Sequence, residues 1–198
     1  MDQPSQILDP RIARTRTAVE LSVVQLLSAG RLFNTLTISE VAKAAGITRK
    51  TLYARFGSLE QVVKGIASSM FEEIADNIIN DMLKMPLSNS VLTNVAFRAH
   101  EKHKSTLMPL LKYCPSFLFL DPCRVVIGEL MDRIITVNHF HPLPAFEREY
   151  LTAIYCSSLH ATLTVWVERG FIDPTDQLSE LIVKLFGPGI DSFLKGLK

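Results

Sequence analysis

Residues 37–56 read Thr37-Ile38-Ser39-Glu40-Val41-Ala42-Lys43-Ala44-Ala45-Gly46-Ile47-Thr48-Arg49-Lys50-Thr51-Leu52-Tyr53-Ala54-Arg55-Phe56, and their order of caps, apolar positions and one glycine decides the fold. Thr37 with Glu40 forms a capping box, in which hydroxyl and carboxylate each satisfy a backbone N–H orphaned at a helix start. A helix therefore opens at Ile38, and Gly46, free to take a left-handed conformation, ends it. Thr48 caps a second short helix from Arg49 to Phe56, with Leu52 and Phe56 on one face. Ile38, Val41, Ala42, Ala45, Ile47 and Leu52 supply a small shared core. Two short helices about a tight glycine turn are the pattern of a helix-turn-helix. The outer face of the second carries Arg49, Lys50, Thr51, Tyr53 and Arg55, residue types that reach base edges and phosphates.

Upstream, Asp9-Pro10 places a cap before a proline at the first helical position, and Ile12, Val19, Val23, Leu26 and Leu27 recur at helical spacing as far as Gly30. Downstream, Ser58-Leu59-Glu60-Gln61 is a second capping box, expected to start a long helix through Val62, Val63, Ile66, Met70, Ile74 and Ile78 to Pro86. Further helices are expected over residues 89–104, 106–113, 122–138 after the cap Asp121, 144–169 ended by Gly170, and 174–186 after the cap Asp173. No alternating strand pattern, internal repeat or low-complexity segment occurs. The expected fold is all-α, with a three-helix DNA-binding domain at 1–62 and a second helical domain at 63–198.

Charge follows the same division. The formal net charge is only +1, yet residues 1–64 hold nine Lys and Arg against five Asp and Glu, a balance of +4, and the remainder balances at −3. A basic end suits a polyanion, although uneven solvated surface reads the same way. Arg11, Arg14 and Arg16 fit either reading, as trackers of a backbone or minor groove or as a solvated face. Three cysteines, at 114, 123 and 156, make no even disulfide framework. The N-terminus lacks the basic and apolar regions of a signal peptide, and no apolar run is long enough for a bilayer. A cytoplasmic protein without a membrane partner is expected.

The stretch from Thr37 to Phe56, with its Ala-Gly turn, hydroxyl-bearing cap and Leu-Tyr…Phe sequence, closely resembles the signature of the tetracycline-repressor (TetR) family. The resemblance implies that Arg49, Lys50 and Thr51 sit nearest base edges, with Tyr53 and Arg55 leaning on phosphates. Thr37 and Thr48 would present helix N-termini to phosphates, Thr48 having a cap-only alternative. One departure stands out. The family usually follows the helix-three phenylalanine with an acidic or amide residue and then Ser-Lys, whereas this chain reads Gly57-Ser58-Leu59. The missing lysine removes a phosphate contact, so weaker affinity and a flatter salt dependence are expected.

The resemblance further implies a larger domain that dimerises and holds an effector pocket. Residues 164–171, followed by Asp173-Pro174, look like the C-terminal domain of a Gram-positive TetR subgroup. Dimer candidates are Ile154, Tyr155, Leu159, Leu163, Leu181, Ile182 and Leu185, on two apolar helices able to pair across a two-fold axis. Phe97, His100, Met108, Tyr113, Phe117, Met131 and Trp166 are candidates to line a cleft for a small molecule, each with plain core as its alternative. His100 with His103, and His139 with His141, lack the further ligands a metal needs, so no metal or cofactor is expected. The cysteines read as buried thiols or a redox sensor. No carboxylate pair, nucleophile elbow or phosphate loop supports an enzyme. The expected protein is a homodimeric repressor of double-stranded operator DNA, released by a small-molecule effector; the alternative is a protein-binding adaptor of the same fold, suggested by Leu59.

Overall fold

The computed structural model describes residues 10–196. Among them are nine α-helices and no strand: α1 (Pro10–Ser28), α2 (Ile38–Ala44), α3 (Arg49–Phe56), α4 (Leu59–Asp76), α5 (Asn89–Lys102), α6 (Lys104–Tyr113), α7 (Phe117–Val137), α8 (Ala145–Glu168) and α9 (Thr175–Lys195). The expected all-α architecture is observed. Asp9, the expected cap of the first helix, lies outside the described residues.

The first three helices pack with the start of α4 into a head. Val19, Val23 and Leu27 of α1, Val41 of α2, Leu52 of α3 and Val63 of α4 are all fully buried in one continuous core. At helical spacing these residues give each short helix one apolar stripe, and tertiary burial rather than propensity stabilises helices this short. α4 then runs without interruption into the second body, where it packs along α7 through Met70, Phe71 and Ile74. There α7 also packs on α8, α5 lies on α9, and α6 bridges back to α1.

Three boundaries differ from the sequence reading. α4 stops at Asp76 rather than near Pro86. Its apolar rhythm continues through Ile78, which is buried in the turn that follows. That turn is held from outside: the Arg133 guanidinium donates to the carbonyls of Ala75 and Ile78 and to Asn80 Oδ1. Asn138 then accepts from Met85 N–H at 2.8 Å and donates to the Leu83 carbonyl at 2.8 Å. Long-range side-chain bonds therefore replace the last helical turns.

α7 begins five residues before the expected Pro122. Asp121 is not its cap but a helical residue paired with Lys64 at 2.7 Å and with Arg124 at 3.5 Å. α9 continues past the expected end at Phe186 through Gly187-Pro188-Gly189 to Lys195. Gly187 is where α9 meets α5, since a Cβ there would lie 3.4 Å from Val183 Cγ1 and 3.6 Å from Asn89 Nδ2.

Candidate nucleic-acid interface

The helix-turn-helix is built from its caps inward. At Thr37 the hydroxyl accepts from Glu40 N–H at 3.2 Å, and Glu40 Oε2 accepts from Thr37 N–H at 2.9 Å and from its hydroxyl at 2.8 Å. The other carboxylate oxygen accepts from Arg31 at 3.2 Å, while Arg31 also donates to the Thr35 carbonyl at 3.0 Å. These hydrogen bonds, led by that from the Thr37 hydroxyl, hold the Glu40 carboxyl below its ordinary range. Arg31 thus ties the segment after α1 to the start of α2. No periodicity marks it in the sequence; its only signal is a place just after the helix-ending Gly30.

α2 ends in a Schellman turn. Gly46 has φ +67°, its N–H donates to Lys43 O at 3.2 Å, and Ile47 N–H donates to Ala42 O at 2.9 Å. The positive φ is where a side chain would be strained, which is why glycine occupies this corner. Thr48 then caps α3, its hydroxyl accepting from Thr51 N–H at 3.1 Å and sharing a 2.9 Å hydrogen bond with the Thr51 hydroxyl. Leu52 anchors α3 in the head's core, fully buried.

With Leu52 inward, the opposite side of α3 faces solvent. Arg49, Lys50 and Arg55 are exposed, and none forms an ion pair among the described residues. Tyr53 is 56% exposed, so its ring is open to contact from outside the chain. At helical spacing Arg49 shares a side with Tyr53, and Thr51, half-buried, shares one with Arg55. Thr37 and Thr48 stand at the two helix starts, each hydroxyl engaged in a local cap. Leu59, where the family's lysine was expected, is buried in the head's core.

The second body holds a cavity of about 480 Å³ between α5, α7, α8 and α9. Of the effector candidates it brings together Phe97, His100 and Met131. Trp166 lies behind that wall, edge-on to Phe97 at 5.9 Å, with its indole N–H donating to the Asp173 carbonyl at 3.0 Å. Met108 and Tyr113 on α6 pack against the core, and Phe117 at the start of α7 is exposed under Lys64. Sequence reasoning missed apolar lining residues of α7 and α9 such as Ile127, Ile134, Ile190 and Phe193. Those on α9 lie beyond the residue where the helix was expected to end.

Of the dimer candidates, Ile154, Leu181 and Leu185 are exposed. Tyr155, Leu159 and Ile182 are half-buried and line the cavity, and Leu163 is fully buried in the protomer's own core. Further exposed apolar residues on the same two helices are Phe146, Tyr150 and Val165. Burial pushes the Cys114 thiol up to about 12, and Cys123 is raised by contact with Cys156 and by burial. No helix among the described residues is long and apolar enough to cross a membrane.

Residues 30–76 match the family described as bacterial regulatory proteins, tetR family. The HTH-type transcriptional regulator AlkX of Mycobacterium tuberculosis is 36% identical over 58 residues, 29% of this chain and 28% of that relative, so the chain spans well under two thirds of it in the match. Among solved structures, Lin0861 from Listeria innocua superposes with a TM-score of 0.72 at 17% identity, covering 92% of this chain and 94% of that one. The TetR family repressor AlkX from Dietzia sp., implicated in biodegradation of n-alkanes, superposes with a TM-score of 0.52 at 20% identity, covering 95% and 98%. Capped helix pair, Schellman corner and exposed basic face thus lie where the family match falls, and residues 30–76 form an N-terminal domain of the kind found in the bacterial regulatory proteins of the tetR family.

Proposed function

We propose that the protein is a homodimeric transcriptional regulator that represses from a palindromic operator and is released by a small lipophilic effector. The observation that carries the DNA-binding part is α3: one side is fixed in the core by Leu52, and the other presents Arg49, Lys50, Tyr53 and Arg55 to solvent without ion partners among the described residues. In this reading Arg49, Lys50 and Thr51 meet base edges, Tyr53 and Arg55 meet phosphates, and Thr37 and Thr48 hold the two helix starts against the backbone. Two copies pair through α8 and α9 because one head reads only one short half-site. The division near residues 62 and 63 is functional rather than a chain break, since α4 spans both parts and carries effector-driven movement to the head. An effector in the cavity favours a dimer whose recognition helices no longer match successive major grooves, about 34–36 Å apart.

The adaptor alternative loses its motive, because Leu59 fills the head's core instead of replacing a contact with a protein surface. Fluorescence anisotropy with the DNA flanking the gene, against a scrambled duplex, tests the reading at low and near-physiological salt. Selective binding that weakens with salt is expected. Arg49→Ala should reduce affinity and lower the slope of log affinity against log salt by about one where it neutralises a phosphate, or relax base selectivity where it reads a base. Absence of binding even at low salt overturns the proposal.

A further inference from the structure

The cavity between α5, α7, α8 and α9 is walled without fixed charge. No Asp, Glu, Lys or Arg is among the described residues that line it. Lys195 stands in a neighbouring cleft beside Val183 and Gly187 and is not part of this lining. Ile154, Leu185 and Gly189, the lining residues that are exposed, carry no ionic group either. The titratable groups of the wall are neutral at neutral pH: burial pushes the Tyr155 phenol up to about 12 and the His100 imidazole down to about 4. His100 is 2% exposed, with Nδ1 2.7 Å from the Ala96 carbonyl of its own helix, and so belongs to the packing of the wall. Two hydroxyls are likewise turned to their own helices, Thr93 donating to the Asn89 carbonyl at 2.6 Å and Thr162 to the Ser158 carbonyl at 2.8 Å. By contrast Leu92, Leu130, Ile134, Leu159, Ile182 and Phe193 line the cavity and are only half-buried, which leaves apolar surface open there.

Resting on the reading of this cavity as the effector site, we infer that its ligand is an uncharged lipophile held by burial of hydrocarbon surface, and that amphiphiles with an ionised head group of either sign are refused. Both halves of this class follow from the same walls. Covering the half-buried apolar side chains takes their surface out of water, so affinity rises with the hydrocarbon that a ligand brings. An ionised head drawn into the cavity would leave water with no counter-charge to meet it. A head kept outside in water instead withholds part of its chain from the walls. A neutral molecule meets neither penalty, since it can enter whole. The volume of about 480 Å³ is in the usual range for small-molecule sites.

The test uses the full chain and four probes of one alkyl length: 1-decanol and 1-methoxydecane, both neutral; decanoate, an anion; and decylammonium, a cation. Binding is read at pH 7.5 by calorimetry and by the rise in melting temperature that a ligand of the folded state produces. Both neutral probes are expected to bind, and each charged probe to bind roughly tenfold or more weakly than they do. Met131→Trp places a larger side chain in the wall and should weaken the neutral probes, which locates them in the cavity. A charged probe that binds wild-type protein as tightly as the neutral ones overturns the inference and leaves the effector site standing. Neutral probes that bind Met131→Trp as tightly as wild type would also overturn it, since they would then lie outside the cavity. The comparison of the four probes on wild-type protein stands whether or not that variant folds. Failure of all four to bind removes the effector reading of the cavity along with the inference.

Discussion

His100 shows how one buried side chain can set the acid sensitivity of a fold. Its imidazole in the folded protein takes a proton only near pH 4, against about 6.5 for an unperturbed histidine, because burial penalises the charged ring. Above pH 6.5 both states are neutral and the group is silent. As pH falls from 6.5 towards 4 the unfolded chain binds a proton that the folded chain refuses, so stability is lost across that window. The loss approaches about 3 kcal/mol at its lower end. Urea unfolding at pH 7.5 and pH 5 should show this fall in wild type and a smaller one in His100→Phe; equal falls would locate the acid sensitivity elsewhere. Legibility at this scale was uneven. Phe97, His100 and Met131 line the cavity, but Trp166 and Met108 obey the same helical spacing and face other neighbours. Periodicity gives the inward face of a helix and not which of its inward neighbours will leave a gap.

The elements of the helix-turn-helix were the most legible because their signals are local. Capping box, Schellman glycine and the Thr48 cap each act within a few residues, and α2 and α3 start and stop where those signals stand. The end of α4, the start of α7 and the reach of α9 depended on partners far along the chain. Arg133 and Asn138 hold the turn after α4 from more than fifty residues away in sequence, and Pro122 is accommodated inside α7 rather than at its start. The Arg31–Glu40–Thr37 network combines both kinds of signal. Removing the Thr37 hydroxyl should cost about 1 kcal/mol of stability as a lost cap. Arg31→Ala leaves the box intact but frees the start of α2 from the preceding segment, so the thermal midpoint should move little while DNA affinity falls several-fold. Thermal melts beside anisotropy separate the two effects. An Arg31→Ala variant that binds DNA as wild type does would show that the box alone fixes α2.

For the whole molecule, the proposed dimer raises the question of what would hold two heads at the spacing of successive major grooves. Phe146, Tyr150 and Ile154 recur every fourth residue along α8, and Leu181 and Leu185 do the same on α9, all of them exposed in the single chain. Such a spacing sets each group on one side of its helix, and exposed apolar stripes of this extent are costly to leave in water. A two-fold pairing of α8 and α9 with their copies would bury both stripes in a four-helix interface. Ile154 and Leu185 also line the cavity, so changing them would confuse assembly with ligand binding; Tyr150 and Leu181 do not line it. Tyr150→Glu combined with Leu181→Glu should therefore leave the protomer's melting behaviour nearly unchanged, since both side chains are exposed there. The variant should halve the mass found by light scattering and lower affinity for a palindromic operator at least about tenfold, as each head then binds alone. A variant that keeps the dimer mass would place the interface on another surface. One that becomes monomeric yet binds the operator as tightly as wild type would show that the heads do not need each other.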